Sequence, residues 1–154
     1  MIKIWGRNTS VNVQKVMWAV GELELPHERI DVGGAFGKNN EPAYLAMNPN
    51  GLVPTLEEDG FVLWESNAIV RYLAAKYGAG KLAPADPRSR ARASSWMDWQ
   101  LTVAHPPLTP VFWGAHPNAA GEARSCRDRG RQGQVHRGHE DSRRTPRQDR
   151  VRRR

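Results

Sequence analysis

The first thirty residues combine short apolar segments with one longer amphipathic segment. Ile2 and Ile4 are apolar at every second position before a glycine, which predicts a short buried strand. After the polar turn 7–10, apolar residues recur with the spacing of an amphipathic helix, at positions 13, 16, 17 and 20. Pro26 would end this helix, and the alternation of polar and apolar residues over 28–32 predicts a second strand. The order strand, helix, strand predicts a parallel pair with a right-handed crossover.

A loop and a β-hairpin are expected next. Residues 33–42 are polar and too rich in Gly and Asn for regular structure, and the Asn-Pro-Asn-Gly sequence at 48–51 is a strong turn signal. Strands are predicted over 53–57 and 61–64, joined by an Asp-Gly hairpin turn at 59–60.

A proline and a capping sequence complete this first unit. Pro54 lacks the N–H that a central strand needs, and a cis peptide bond before it would resolve the conflict. Residues 65–67 can cap a helix that Gly78 closes, with one apolar face made by Ile69, Tyr72, Leu73 and Tyr77. The order βαβ and then ββα predicts a small α/β sheet domain over residues 1–79.

A helical region is expected after a linker at 80–87. Asp86-Pro87 begins a third helix with an apolar stripe made by Ala91, Ala93, Trp96, Trp99 and Val103. Three prolines, at positions 106, 107 and 110, are expected to break the chain. We expect residues 88–114 to be a fragment of an all-helical domain whose exposed tryptophans favour aggregation.

Charge divides the chain into two parts. The formal net charge is +7, yet residues 1–114 hold 11 Lys and Arg against 11 Asp and Glu. Residues 115–154 hold 12 Arg against 5 acidic residues, and they lack Leu, Ile, Met, Phe, Tyr and Trp. Such a segment cannot bury enough apolar surface to offset its ordering entropy, so a basic, disordered tail is expected. A frameshift near position 114 in a GC-rich gene is one hypothesis for the tail, and a nucleic-acid-binding arm is the other.

Several classes of protein are disfavoured. The single cysteine, Cys126, excludes an internal disulfide framework and a Cys-x-x-Cys redox pair. Cys126, His136 and His139 lack a fourth ligand, so no metal is expected. No apolar run approaches 18 residues and no signal peptide is recognisable, so we expect a cytoplasmic protein without a membrane partner.

Three blocks of sequence carry a family resemblance. They are IWGRNTSVNVQKV at 4–16, NPNGLVPTL at 48–56, and LWESNAI at 63–69 followed by RYL. In combination they resemble the glutathione S-transferases, especially the serine-using theta and phi-like groups, over residues 2 to about 113. The resemblance implies a thioredoxin-like domain that binds glutathione, followed by an all-helical domain for the electrophile. It further implies detoxification by conjugation of the glutathione thiolate to small electrophiles, and a homodimer in the full-length protein.

The resemblance assigns the catalytic role to Ser10. Its hydroxyl would donate a hydrogen bond to the glutathione sulfur at the start of the first helix, where the helix dipole also favours an anion. Thr9 and Asn8 are rivals for this role. A purely structural alternative is that Ser10 only caps the helix.

The resemblance also implies contacts along glutathione. Val53 would pair its main chain with the cysteinyl residue, just before a cis Pro54. Glu65 would accept from the γ-glutamyl ammonium while Ser66 donates to its carboxylate, although an ordinary capping pair is the alternative. Lys38 would meet the glycyl carboxylate.

The residue for the glycyl end and the function as a whole each have an alternative. In phi-like proteins the basic residue for the glycyl end lies two positions after Lys38, where this chain has Asn40. The alternative function is a non-catalytic thioredoxin-fold binding module with an Arg-rich, nucleic-acid-binding tail.

Overall fold

The structure is a computed structural model that describes residues 1–115. This part of the chain contains four strands and five α-helices. In chain order the elements are β1 (Ile2–Trp5), α1 (Val11–Glu22), β2 (His27–Ile30), a 3₁₀ turn (Gly34–Phe36), α2 (Pro42–Met47), β3 (Thr55–Glu58), β4 (Phe61–Trp64), α3 (Ser66–Tyr77), α4 (Pro87–Trp99), a π-helical segment (Gln100–Ala104) and α5 (His105–Ala115). The tail expected over 115–154 lies outside the described residues apart from its first position.

The strands form one mixed sheet in the order β2-β1-β3-β4. β1 runs parallel to β2 and antiparallel to β3, and β3 pairs with β4 as an antiparallel hairpin. Ile4 lies opposite Leu56 in the register of β1 and β3. This sheet followed by helices confirms the predicted fold class, a thioredoxin-like α/β domain and then a helical region.

Helices α1 and α3 pack against each other and supply the core together with β1 and β3. Apolar side chains at helical spacing on the two helices meet the alternate residues of the strands, and the buried cluster consists of Ile2, Ile4, Val16, Val20, Leu56, Ile69 and Leu73. Burial of these side chains is the main favourable term in folding. It fixes the N-terminal ends of both helices near the same edge of the sheet.

The sequence pattern missed helix α2. Residues 42–47 form one short helix with Pro42 in its first turn, where the missing N–H has no helical partner to lose. Six residues are too few to show a helical period in the sequence. The helix is instead held by its buried Tyr44, which hydrogen-bonds to the chain ahead of β3.

The prediction that the three prolines break the chain was wrong. α5 begins at His105 and runs through all of them. Pro106 and Pro107 closely follow the π-helical segment, whose wider i→i+5 bonding shifts the hydrogen-bond register ahead of them, and Pro110 lies inside the helix. As expected, Trp96 and Trp99 are exposed, by 67% and 47% respectively.

Helix α4 is attached to α3 by polar contacts. Asn67 Nδ2 donates to the Met97 carbonyl at 2.9 Å, and Arg71 forms an ion pair with Asp98 at 2.5 Å. Residues 1–115 form one compact unit. The domain boundaries at 79 and 88 stay predictions.

Candidate functional site

A small cleft lies where the start of α1 and the start of α3 meet the chain that leads into β3. It encloses about 50 Å³, enough for one end of a ligand rather than for a whole peptide. Four of the residues predicted to bind a ligand line it: Val53, Pro54, Glu65 and Ser66. Residues from separate blocks of the sequence are therefore brought to one place by the sheet.

The main chain of Val53 is available to a ligand. The Val53–Pro54 peptide bond is cis, as the conflict at Pro54 suggested, and β3 begins only at Thr55. Neither the N–H nor the C=O of Val53 has a hydrogen-bond partner within residues 1–115. An unpaired donor and acceptor beside a strand are the groups with which an extended peptide pairs.

The loop ahead of Val53 is held from inside the domain. Asn48 Nδ2 donates to the Leu52 carbonyl at 2.8 Å, and the Tyr44 hydroxyl donates to the same oxygen at 2.7 Å. Burial raises the pKa of Tyr44, while hydrogen bonds from Thr55 and Asn48 act in the opposite direction. The sequence pattern marks Asn48 only as a turn residue and gives no signal for Tyr44.

Gly6 allows the end of β1 to approach this loop. A side chain at Gly6 would place its Cβ 3.2 Å from the Cβ of Val53 and 2.5 Å from a methyl carbon of Val13. No L-residue fits at that position without displacing its neighbours. The close approach brings the turn 7–10 next to Val53.

Ser10 lies at the N-cap position of α1, but its side chain does not cap the helix. The Ser10 carbonyl accepts from the Gln14 N–H at 2.9 Å, whereas its half-buried hydroxyl has no hydrogen-bond partner in the described part of the chain. The capping bond that the structural alternative requires is therefore not present. Ser10 does not itself line the cleft.

The two rivals of Ser10 are in different surroundings. Thr9 is exposed, and its Oγ1 accepts from Arg7 Nε at 3.2 Å. Asn8 is also exposed, and its carbonyl accepts from Gln14 Nε2 at 3.1 Å. Of the three candidates, Ser10 is the one that is partly withdrawn from solvent and has an uncommitted hydroxyl.

Glu65 and Ser66 occupy the start of α3. Glu65 has a φ of 73°, a conformation that costs a residue with a side chain about 1–3 kcal/mol, and it makes no side-chain capping bond. Ser66 is nearly buried, and its Oγ donates to Asn12 Oδ1 at 3.4 Å. The ordinary capping pair proposed as an alternative is thus not seen. Asn12 and Asn50 also line the cleft and were missed, although both fall inside the blocks that carried the resemblance.

Lys38 is not brought to the cleft. It is exposed in the loop between the 3₁₀ turn and α2 and has a φ of 65°. Its neighbour Asn39 ties this loop to the turn before β3, by donating from Nδ2 to the Gly51 carbonyl at 2.8 Å.

Other classes of site find no support in the described residues. Between positions 1 and 115, no three His, Cys, Asp or Glu side chains are grouped as a metal site would require. Cys126, His136 and His139 lie outside the described residues. Nor does any helix in that range have the length and apolar character to cross a membrane.

The fold and the cleft define a thioredoxin-like domain with an unpaired stretch of main chain at Val53, followed by helices. The family pattern described as glutathione S-transferase, N-terminal domain, matches residues 9–76. Together with the relatives that follow, this shows that the chain belongs to the glutathione S-transferase family.

Similar proteins cover the same region. Glutathione S-transferase GstB of Escherichia coli is 57% identical over 110 residues, which are 68% of this chain and 53% of the relative. The crystal structure of a theta class glutathione S-transferase from Xanthomonas axonopodis pv. citri, with glutathione bound, is 51% identical with a TM-score of 0.71, covering 73% of this chain and 54% of that one. Glutathione transferase E6 of Drosophila melanogaster is 30% identical with a TM-score of 0.67, covering 75% and 56%. The chain thus spans about half the length of the relatives it matches.

These similarities do not favour the alternative of a non-catalytic binding module, since the named relatives are transferases. The nucleic-acid role suggested for the tail concerns residues that the structure does not describe.

Proposed function

We propose that the cleft binds glutathione and that the protein conjugates it to small electrophiles. The observation that carries this proposal is the unpaired main chain of Val53 beside Glu65 and Ser66. The cysteinyl residue of glutathione would pair with the Val53 N–H and C=O. Its γ-glutamyl end would then lie in the part of the cleft formed by α3.

Each end of glutathione carries charge that the chain can match. The γ-glutamyl ammonium would donate to the Glu65 carboxylate. The γ-glutamyl carboxylate would accept from N–H groups at the start of α3 and from the Ser66 hydroxyl, which would turn from Asn12 Oδ1 toward the ligand. The glycyl carboxylate would extend out of the cleft toward the loop that bears the exposed Lys38.

The chemistry requires glutathione to react as a thiolate. A free thiol has a pKa of about 8.5, so most of it is protonated at neutral pH. A hydrogen bond from the Ser10 hydroxyl, together with the positive end of α1, would stabilise the anion and release its proton to solvent. The sulfur then forms a bond to the electrophilic carbon, and the displaced electron pair leaves with the leaving group.

Three further assignments rest on the family alone. We propose a homodimer for the full-length protein, a cytoplasmic location, and an electrophile site in the helical region that begins at α4. No metal is proposed for this reaction.

Calorimetric titration of glutathione into the full chain tests the proposal. We expect saturable binding that Ser66→Ala weakens by about tenfold or more, because a hydrogen bond to a charged group is worth roughly 1.5–3 kcal/mol. Ser95→Ala is the matched control, since Ser95 lies on α4 and donates only to the Arg92 carbonyl. Absence of binding at millimolar glutathione, or equal losses in both variants, would contradict the assignment. Conjugation is measured separately, by thioether absorbance with a chloronitrobenzene.

A further inference from the structure

A lysine lies behind the cleft at the junction of three helical elements. Lys15 is on α1, one turn after Asn12. Its Nζ lies 3.1 Å from Asn67 Oδ1 on α3 and 3.1 Å from Gln100 Oε1 at the start of the π-helical segment. Two of its three N–H donors are thus committed to neutral amide oxygens.

The ammonium group is half-buried and forms no ion pair with a residue of the described part of the chain. Burial lowers the pKa of Lys15, and the nearby charge of Glu65 raises it in return. Removing a cation from water without a direct anionic partner opposes folding. Within the domain this cost is offset only by two neutral amide oxygens and by the through-space charge of Glu65, a residue that lines the cleft.

The neighbours of Lys15 hold it beside the start of α3. Asn67 follows Glu65 and Ser66 directly, and its Nδ2 is committed to the Met97 carbonyl at 2.9 Å. This bond orients Asn67 so that its oxygen accepts from Lys15. The cation is thus fixed next to the two residues that line the cleft from α3.

We infer that Lys15 is a positioning residue that, with Glu65, makes this end of the cleft selective for a zwitterionic α-amino-acid group. The inference rests on the proposed glutathione site and names the charge that discriminates at its γ-glutamyl end. Glu65 attracts the α-ammonium of the ligand. Lys15, which does not line the cleft, acts through space on the α-carboxylate held at the start of α3.

Two ligands and a set of variants test this inference. The ligands are glutathione and 4-aminobutyryl-cysteinyl-glycine, which keeps the amine but lacks the α-carboxylate. Lys15→Met is expected to weaken glutathione binding about fivefold, the upper range for a solvent-screened charge pair, and to leave binding of the analogue unchanged. Lys15→Arg should keep most of the preference for glutathione, and added salt should reduce that preference in the wild type. Lys81→Met is the charge control, because Lys81 is exposed and contacts only the Glu22 carbonyl.

The outcomes separate the inference from the proposed function. Equal loss for both ligands, or no loss for either, in a folded Lys15→Met protein would overturn the role of Lys15 while wild-type binding still supports the glutathione site. If the wild type binds neither ligand, the proposed function fails and the inference with it. Should Lys15→Met fail to fold, Lys15→Gln keeps a hydrogen-bond donor without the charge, and the same ligand-specific loss is expected.

Discussion

The hydroxyl oxygens of Tyr44 and Thr55 lie 2.8 Å apart in the interior, within a chain of hydrogen bonds that supports the cleft. Asn48 Nδ2 donates to Thr55 Oγ1 at 3.2 Å, and the Tyr44 hydroxyl donates to the Leu52 carbonyl. Because the Tyr44 hydroxyl proton is already donated to Leu52, the Thr55 hydroxyl is the donor of the bond between Thr55 and Tyr44. A short helix whose residues do not line the cleft therefore fixes Leu52, the residue that precedes Val53.

Tyr44→Phe should damage both stability and binding. The change leaves the Thr55 hydroxyl without its acceptor and removes one donor from Leu52, so we expect the free energy of unfolding in urea to fall by about 1–2 kcal/mol. Glutathione affinity should fall as well, because the support of the Val53 loop is weakened. The ligand titration described above measures this second effect.

Tyr77→Phe is the matched control for that prediction. Tyr77 donates to Glu58 at the opposite end of α3, a 12-residue helix about 18 Å long. It should lose stability while keeping its affinity for glutathione. A Tyr44→Phe protein with full affinity would show that the hydrogen-bond chain does not position the loop.

Ser10→Ala should raise the pKa of the bound glutathione thiol. Loss of a hydrogen bond to a charged acceptor corresponds to roughly 1–2 pKa units, so the thiolate absorbance of the complex should titrate at correspondingly higher pH. Conjugation at neutral pH should fall about tenfold or more, while glutathione still binds. Thr9→Ala and Asn8→Ala provide the comparison, and a larger shift in either one would transfer the role to that residue.

Glu65 combines an unfavourable backbone conformation with a proposed ligand contact. Its φ of 73° suits glycine, so Glu65→Gly should be about 1 kcal/mol more stable than Glu65→Ala. Both variants lose the carboxylate, so both should bind glutathione weakly. Thermal unfolding compares the two proteins. Equal stabilities would mean that the backbone relaxes when the side chain is shortened.

Acid should destabilise the domain through Glu58. Burial raises the pKa of this carboxyl, but hydrogen bonds from Tyr72, Tyr77 and Lys76 outweigh burial and lower the pKa from 4.5 to about 2. A lowered pKa in the folded state stabilises it above about pH 4.5, and this contribution is lost as the pH falls toward 2. Glu58→Gln should therefore be less stable than the wild type at pH 7, by about 2 kcal/mol, and approach it near pH 2.

Urea unfolding of the two proteins over this pH range checks the prediction. The difference between them isolates Glu58 from the other carboxyl groups of the chain. A constant difference from pH 7 to pH 2 would exclude the linkage.

Local pattern was enough to predict most regular elements. The alternation at Ile2 and Ile4, the helical spacing around Val16 and the Asp-Gly turn before Phe61 are each specified by neighbours in the chain, and all were found in the structure. The missing N–H of Pro54, which a central strand would need, likewise predicted the cis peptide bond seen in the structure. These features depend on backbone geometry and on which face of an element is apolar, and both are written in short stretches of sequence.

The sequence by itself thus determined the order of the four strands and of helices α1, α3 and α4, and the apolar faces that form the core. Through its family resemblance it also determined three residues that line the cleft, Val53, Glu65 and Ser66. Only the tertiary structure decided that residues around Tyr44 are helical, and that the prolines after His105 continue a helix. It alone placed Lys15 behind the cleft. These outcomes depend on hydrogen bonds between residues distant in sequence, such as the 85 positions separating Lys15 from Gln100, and no local pattern encodes them.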